Sequence, residues 1–124
     1  MVNKYGNKKC EFNGVKFDSQ AERARYIDLL DMEKRGLISQ IMTQPKFLLQ
    51  DGFSRNGVKH KPIHYIADFL YVDENLKMIV EDVKGMATKD YLLKRKLYLS
   101  KFAHEQSRFR EVRLKGNKWE ITEL

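Results

Sequence analysis

The chain has 124 residues, enough for one domain with one modest hydrophobic core. Apolar residues make up 42% and charged residues 33%, a globular composition that excludes an intrinsically disordered protein. Lysine and arginine number 24 against 17 aspartate and glutamate residues, and the net charge of +7 favours a polyanionic partner such as nucleic acid.

The single cysteine, Cys10, excludes an internal disulfide and a zinc site built on cysteines of one chain. The polar first residues lack the apolar core of a signal peptide. No stretch reaches the ~20 apolar residues of a membrane span, and no basic amphipathic helix with a clean apolar face favours a membrane surface. We therefore expect a soluble cytoplasmic protein.

In chain order the pattern predicts a loose basic segment, a hairpin, a helix, three strands, a second helix and two closing strands. These are residues 1–9, Cys10–Phe12 with Val15–Phe17, Gln20–Arg35, Phe47–Phe53, Ile63–Val72, Leu76–Val83, Asp90–Glu105, Glu111–Leu114 and Trp119–Thr122. Asn13-Gly14 is a strong hairpin signal, and Ser19 is a suitable N-cap. The order predicts an α/β (α+β) domain over residues 1–124, with a mixed β-sheet flanked by two main helices.

Two carboxylates and a lysine on neighbouring strands carry the chemical prediction. Asp82 and Lys84 share one face of their strand because side chains alternate. A short turn near residues 74–75 places Asp68 opposite or diagonal to residues 80–82, within reach of the same divalent ion. A register shift of one residue would separate the carboxylates, and a surface Asp–Lys pair is the alternative interpretation.

Glu22 and Lys96 are further candidates on the two helices. Glu22 lies between Tyr26 and Leu29 on the apolar side of the first helix, where it either ligates a metal or completes a capping box with Ser19. Lys96 projects near the middle of a predicted buried stripe, facing either a phosphate or, by snorkelling, the solvent. That stripe consists of Leu92, Leu93, Leu97, Leu99 and Ala103.

The remaining polar residues carry weaker predictions. His60 and His64 have metal-like spacing, but Pro62 lies between them, and a zinc site is the lesser interpretation. His64 alternates onto the face of Asp68, so we expect it near the site. The basic segment Asp51–Pro62 is predicted as a loop, either solvated or in contact with phosphates, and Trp119 is predicted to pack in the core.

These residues together resemble the PD-(D/E)xK nuclease superfamily, with its restriction-endonuclease-like core of helix, three strands, helix and strands. Ala67-Asp68 stands where the superfamily pattern has Pro-Asp, and Asp82-Val83-Lys84 matches its (D/E)xK element. Three stretches also resemble a family of small phage-encoded proteins related to Holliday-junction resolvases. They are Phe17–Glu22, Tyr65–Phe69 and Val80–Gly85.

The resemblance implies a metal-dependent endodeoxyribonuclease. Glu22, Asp68, Asp82 and the Val83 carbonyl would bind Mg²⁺ or Mn²⁺, and Lys84 would be catalytic, with Lys96 assisting. It also implies four-way or otherwise branched DNA as the substrate, a homodimer that cuts both strands, and a phage-encoded protein in a bacterial host. The open alternatives are another nuclease role, such as nicking, flap trimming or genome processing, and a DNA-binding protein without catalysis.

Overall fold

The structure is a computed structural model that describes residues 9–102, 104 and 106–124. Its elements follow the chain as β1 Cys10–Phe12, β2 Val15–Phe17, α1 Gln20–Lys34, β3 Ile38–Thr43, β4 Lys46–Gln50, β5 Phe53–Arg55, β6 Val58–His60, β7 Ile63–Ile66, β8 Phe69–Asp73, β9 Met78–Val83, α2 Lys89–Phe102, β10 Ser107–Lys115 and β11 Lys118–Glu123. The predicted loose residues 1–8, Ala103 of the predicted stripe and Glu105 at the predicted helix end lie outside the described residues.

A five-stranded mixed sheet forms the centre of the fold. Its strand order is β11-β10-β9-β8-β3, with β9 and β10 parallel and the other neighbours antiparallel. Along the chain the sheet and its helices follow the order α1, β3, β8, β9, α2, β10, β11. The predicted α+β class, with a mixed sheet and two main helices, is confirmed.

The two helices accompany separate hydrophobic clusters, because alternate residues of β9 face opposite sides of the sheet. On the α1 side, Ile79 and Val83 pack with Leu29 in a buried cluster, and Trp119 is half-buried against it. On the α2 side, Val80 packs with Tyr91 and Tyr98 in a second cluster. Asp82 belongs to the α2 side by the same alternation.

The first helix begins and ends where its sequence predicts. The Ser19 hydroxyl accepts a hydrogen bond from the Glu22 amide at 3.1 Å, which satisfies one of the free amides of the first turn. Gly36 follows the last turn with φ +78°, a conformation that glycine adopts without steric cost.

The predicted strand Ile63–Val72 is wrong as a single element. It is divided at Ala67-Asp68 into β7, which pairs with β4, and β8, which pairs with β3 and β9. The Ala67 amide donates to the Pro45 carbonyl, while the Asp68 amide donates to Glu81, so the chain changes partners at this point.

Two further differences concern strands that the sequence pattern did not reveal. β3 was not predicted, and its irregular pairing with β8 between Ser39 and Met42 accompanies a positive φ at Gln40. The predicted loop Asp51–Pro62 contains the hairpin β5–β6. Neither helix of the described part of the chain has the length and apolar composition to cross a membrane.

Candidate active site

The pairing of β8 with β9 brings the two predicted carboxylates to the same end of the sheet. Phe69 lies opposite Glu81, and this register, continued by one residue, sets Asp68 opposite Asp82. The Asp68 amide donates to the Glu81 carbonyl at 3.1 Å. The Asp68 Oδ2 atom in turn accepts from the Val83 amide at 2.7 Å. The predicted register of these two strands is confirmed.

Asp82 is buried, with 1% of its surface exposed. The Tyr65 hydroxyl donates a hydrogen bond to its Oδ2 atom. Its Oδ1 atom lies 2.7 Å from the Lys84 ammonium, but this ion pair lacks hydrogen-bond geometry. Oδ1 is the buried side-chain oxygen that has no hydrogen-bond partner among the described residues. The Lys84 ammonium is therefore the positive neighbour of Oδ1, and a metal ion at this oxygen would displace the ammonium or share the oxygen with it.

The electrostatics of Asp68 also favour an added positive charge. Burial raises the pKa of its carboxyl well above the ordinary value, and the neighbouring carboxylates of Asp82 and Glu22 raise it further. The hydrogen bond from the Val83 amide acts in the opposite direction. Three carboxyl groups therefore repel one another here, and a bound cation or proton would relieve that repulsion.

Glu22 lies in the first turn of α1 and is half-buried. Its amide donates to the Ser19 hydroxyl, and its carboxylate accepts a backbone hydrogen bond at Asp18, just before the cap. Burial raises the pKa of Glu22, as do the charges of Asp18 and Asp82, while a backbone hydrogen bond at Asp18 and the charge of Lys84 lower it. The Glu22 carboxylate therefore interacts electrostatically with Asp82 and Lys84 across the space between α1 and β9.

A cleft of about 570 Å³ opens between the start of α1 and the end of β9. It is lined by Ser19, Ala21, Glu22, Val83, Lys84, Gly85, Met86 and Thr88. Lys84 is 24% exposed and lies between this cleft and the buried Asp82. A ligand in the cleft would meet Glu22 and Lys84 first.

A network around Tyr91 supports Lys84, and sequence reasoning missed it. The Lys84 ammonium lies 4.2 Å from the centre of the Tyr91 ring. The Tyr91 hydroxyl donates to Glu111 at 2.8 Å, and Arg95 and Arg113 form ion pairs with the same carboxylate at 2.8 and 3.0 Å. Burial opposes ionisation of Glu111, but these three hydrogen bonds together lower its pKa. The tyrosine ring therefore lies among three cations and one firmly ionised carboxylate.

The orientation predicted for Lys96 is wrong. Tyr91 and Tyr98 are the buried residues of α2, and at ~100° per residue Lys96 lies about 140° around the helix from Tyr91. Lys96 is exposed, and Arg95 takes the position that faces the sheet. Three leucines that were expected on the buried side are exposed instead: Leu92, Leu93 and Leu97.

The histidines do not form the site. Tyr65 points toward Asp82, and adjacent residues of a strand point to opposite faces, so His64 faces away from the carboxylates. His60 stacks on Phe53, with ring centres 4.5 Å apart. The signal in the sequence that could have identified Tyr65 is its place in an apolar strand. A tyrosine buried there needs a partner for its hydroxyl.

Within residues 9–102, 104 and 106–124, no three histidine, cysteine, aspartate or glutamate side chains form a ready-made metal cluster. The donors at Asp68 and Asp82 nevertheless fit Mg²⁺ or Mn²⁺, because Mg²⁺ commonly takes one or two protein carboxylates and keeps several waters. The position of Asp68 opposite Asp82, with the repulsion between the two carboxylates that raises the pKa of Asp68, supports this fit.

Comparisons with known proteins identify a family without a known activity. No curated protein matches the chain. A crystal structure of a protein named SSO0001 is 19% identical, with a TM-score of 0.46 over 82% of this chain and 48% of that chain, so this chain spans about half the length of SSO0001. A family described as a protein of unknown function, DUF1064, matches residues 2–121. Because this match covers nearly all of the sequence, the chain belongs to the DUF1064 family.

Proposed function

We propose that this protein is a magnesium- or manganese-dependent endodeoxyribonuclease of the PD-(D/E)xK type that cuts branched DNA, in particular four-way junctions. The resemblance of Ala67-Asp68 and Asp82-Val83-Lys84 to the superfamily pattern supports this proposal. The net charge of +7 agrees with a polyanionic substrate.

The observation that carries the proposal is the position of Asp68 opposite the buried Asp82, whose Oδ1 atom has the Lys84 ammonium as its charged neighbour. Burying a second carboxylate beside the first costs stability, and a structural role gives no reason for that cost. Asp68 lies beside it with a raised pKa, which adds to the cost of two negative charges at one point. A site that binds a divalent cation during its reaction accounts for both features.

Each residue of the site has a distinct task in this proposal. Asp68 and Asp82 would hold the metal ion, with Glu22 and the Val83 carbonyl at the side that faces the cleft. The bound ion would supply an activated water and neutralise charge on the phosphodiester. Lys84 would donate a hydrogen bond from Nζ to a phosphate oxygen or to the attacking water. Tyr65 holds the Asp82 carboxylate in position through its hydroxyl.

Branched DNA enters the proposal through the resemblance to the phage resolvases. Symmetric cutting of a four-way junction requires two active sites, so we propose that two copies of the chain act as a homodimer. The same argument proposes a phage- or prophage-encoded protein that acts in the cytoplasm of a bacterial host. Lys96 receives no role here, because its side chain is exposed away from the sheet.

The deciding experiment compares an end-labelled four-way junction with a linear duplex of equal length, with and without Mg²⁺ or Mn²⁺. The test variant is Asp82→Asn, which keeps the shape of the side chain and removes the charge. Glu74→Gln is the matched control, because Glu74 is an exposed carboxylate in the turn that joins β8 to β9. We expect paired nicks on the junction, lost in Asp82→Asn and retained in Glu74→Gln.

The other outcomes select among the alternatives. Equal cutting of junction and duplex would keep the nuclease and replace the resolvase with a nicking, flap-trimming or genome-processing role. Tight DNA binding without metal-dependent cutting would leave a DNA-binding protein. Normal cutting by Asp82→Asn would refute the assignment of the site.

A further inference from the structure

The hairpin β5–β6, here called the ribbon and defined as Phe53–His60, is exposed along its whole length. All residues of both of its strands are exposed, and in the described part of the chain the strands pair only with each other. A two-stranded hairpin without a packed face is marginally stable in water. The hairpin therefore belongs to neither of the two buried hydrophobic clusters.

The conformation of the ribbon is nevertheless well defined by local features. Asn56 and Gly57 have φ +50° and +76°, the left-handed pair that a tight two-residue hairpin turn requires. At the root, a Cβ atom on Gly52 would lie 3.1 Å from both the His60 carbonyl oxygen and the Pro62 ring. The rings of Phe53 and His60 stack at an angle of 13°. The turn, the close packing at Gly52 and the stacked rings thus define the conformation of the ribbon.

Positive charge lies on the ribbon and directly after it. Arg55, Lys59 and Lys61 are exposed and have no ion pair or side-chain hydrogen bond among the described residues. The only acidic residue of the segment 51–62 is Asp51. Some surface cations elsewhere in the fold, such as Arg35 and Lys115, have carboxylate partners. The register places Arg55 on the same face as the exposed apolar pair Phe53 and Val58, at 47% and 56% exposure, and Lys59 on the opposite face. Lys61 directly follows the second strand.

The dimensions of the ribbon suit duplex DNA. Two paired strands lie ~4.8 Å apart, and the major groove of about 12 Å admits a two-stranded ribbon, whereas the minor groove of about 6 Å is too narrow. His60 lies eight residues before Asp68, so the two are at most ~26 Å apart at ~3.3 Å per residue. One turn of B-DNA spans about 34 Å. The root of the ribbon and the carboxylates thus lie within one helical turn of the same duplex.

We propose that the ribbon is a DNA-binding arm that enters the major groove of a duplex arm next to the cleavage site, with Arg55, Lys59 and Lys61 on the phosphate backbone. The exposed side chains of Phe53 and Val58 supply apolar contact to base edges. This inference rests on the proposed function for its substrate, but it concerns binding, and its test is separate from catalysis. The arm increases affinity for DNA and leaves the chemical step unchanged.

The test variant is Arg55→Thr/Lys59→Thr/Lys61→Ser, in which threonine suits exposed strand positions. The control variant, Lys34→Gln/Arg35→Gln/Lys118→Thr, removes the same charge from exposed positions at the end of α1 and on β11. Binding of both variants and of the wild type to the linear duplex and to the junction is measured over a range of salt without divalent metal. Loss of three phosphate contacts lowers the slope of log Kd against log salt by about 2 to 3.

We expect this loss of slope and of affinity in the ribbon variant, with an unchanged melting temperature and an unchanged single-turnover cleavage rate at saturating DNA. Equal slopes of log Kd against log salt in the ribbon and control variants would overturn the proposal of a DNA-binding arm. Cleavage by the wild type would still support the nuclease in that case. If the ribbon variant has the lower salt dependence of binding but the wild type never cuts DNA, the arm is supported and the nuclease is refuted. If the wild type sediments as a dimer and the ribbon variant as a monomer that still binds duplex DNA normally, the ribbon is a contact between copies. That result would overturn its role as a DNA-binding arm.

Discussion

Glu81 and Asp82 are adjacent buried carboxylates of β9 that point to opposite faces of the sheet, and their surroundings differ. Glu81 accepts two hydrogen bonds from Arg25, at 2.8 and 2.7 Å, and a third from the Tyr71 hydroxyl. Arg25 is itself 2% exposed and lies over the Trp119 ring. Asp82 accepts a hydrogen bond from Tyr65, and its Oδ1 atom has a lysine ammonium at 2.7 Å in place of a two-bond guanidinium.

The difference separates a charge that holds the fold together from one that is available for a ligand. The guanidinium of Arg25 matches the Glu81 carboxylate in a two-bond arrangement, and burial of both groups is tolerable only because they neutralise each other. The Lys84 ammonium is a single flexible cation at the wall of an open cleft, so it can move away from Asp82. Burial of a carboxylate is therefore not by itself a sign of function, and pairing with a flexible cation beside a cleft is the better sign.

The largest expected effect comes from breaking the structural pair. Glu81→Ala leaves the buried Arg25 without a partner and should lower the free energy of unfolding by about 3–5 kcal/mol, measured by urea denaturation. The double variant Arg25→Met/Glu81→Leu should recover most of this loss, since it removes both charges and keeps apolar volume. A single variant as stable as the wild type would show that the pair does not support the fold.

The corresponding change on the other face tests Lys84. Lys84→Met keeps an apolar chain of similar length over Tyr91 and removes the ammonium from Asp82. Single-turnover cleavage should fall by about 100-fold or more, while Mn²⁺ binding should be unchanged or tighter, because a competing cation is gone. Weaker Mn²⁺ binding in a folded variant would mean that Lys84 organises the carboxylates instead of acting on DNA.

Tyr65→Phe sharpens the comparison at Asp82 itself. Loss of a hydrogen bond to a charged buried group should cost about 1.5–3 kcal/mol in thermal unfolding. Tyr98→Phe is the matched control, since Tyr98 is equally buried but its hydroxyl has no hydrogen bond among the residues described. Equal stability of the two variants would contradict the role of Tyr65 in holding Asp82.

The smallest effect concerns pH. Because the pKa of Asp68 is raised in the folded state, the folded protein binds this proton more tightly than the unfolded chain does. That contribution to stability is present at low pH and is lost as the pH rises through the raised pKa. Asp68→Asn should therefore raise the melting temperature more near pH 8 than near pH 5, while Glu74→Gln should show no such trend. An equal shift at both pH values would contradict the repulsion between Asp68 and its neighbours.

Local signals predicted much of the fold. The two-residue turn Asn13-Gly14 predicted β1–β2, the cap at Ser19 and Gly36 bounded α1, and the apolar run before Gly85 predicted β9. The same kind of signal at Asn56-Gly57 was available for β5–β6, but the basic composition of that segment favoured a loop. The hairpin at Asn56-Gly57 shows that turn residues carry more information on backbone pairing than charge does.

Long-range packing decided the rest. Helix α2 has a leucine stripe and a tyrosine stripe. Tyr91 and Tyr98 are the buried ones, because they pack with Phe109 and Tyr65 in one cluster. Glu111 accepts a hydrogen bond from the Tyr91 hydroxyl. The sequence of α2 alone does not show which of the two stripes packs against the sheet. The incorrect position predicted for Lys96 follows directly from choosing the leucine stripe.

By itself, the sequence predicted that Asp82 and Lys84 share one face of a strand and that Asp68 lies opposite or diagonal to residues 80–82, because strand alternation and short turns are local rules. Only the tertiary structure decided that Glu81 pairs with the buried Arg25, while Asp82 pairs with Lys84 at the wall of an open cleft. It also decided that Tyr65 and the Tyr91 network surround the site. These outcomes depend on which residues, far apart in the chain, meet when two helices pack on opposite sides of one sheet.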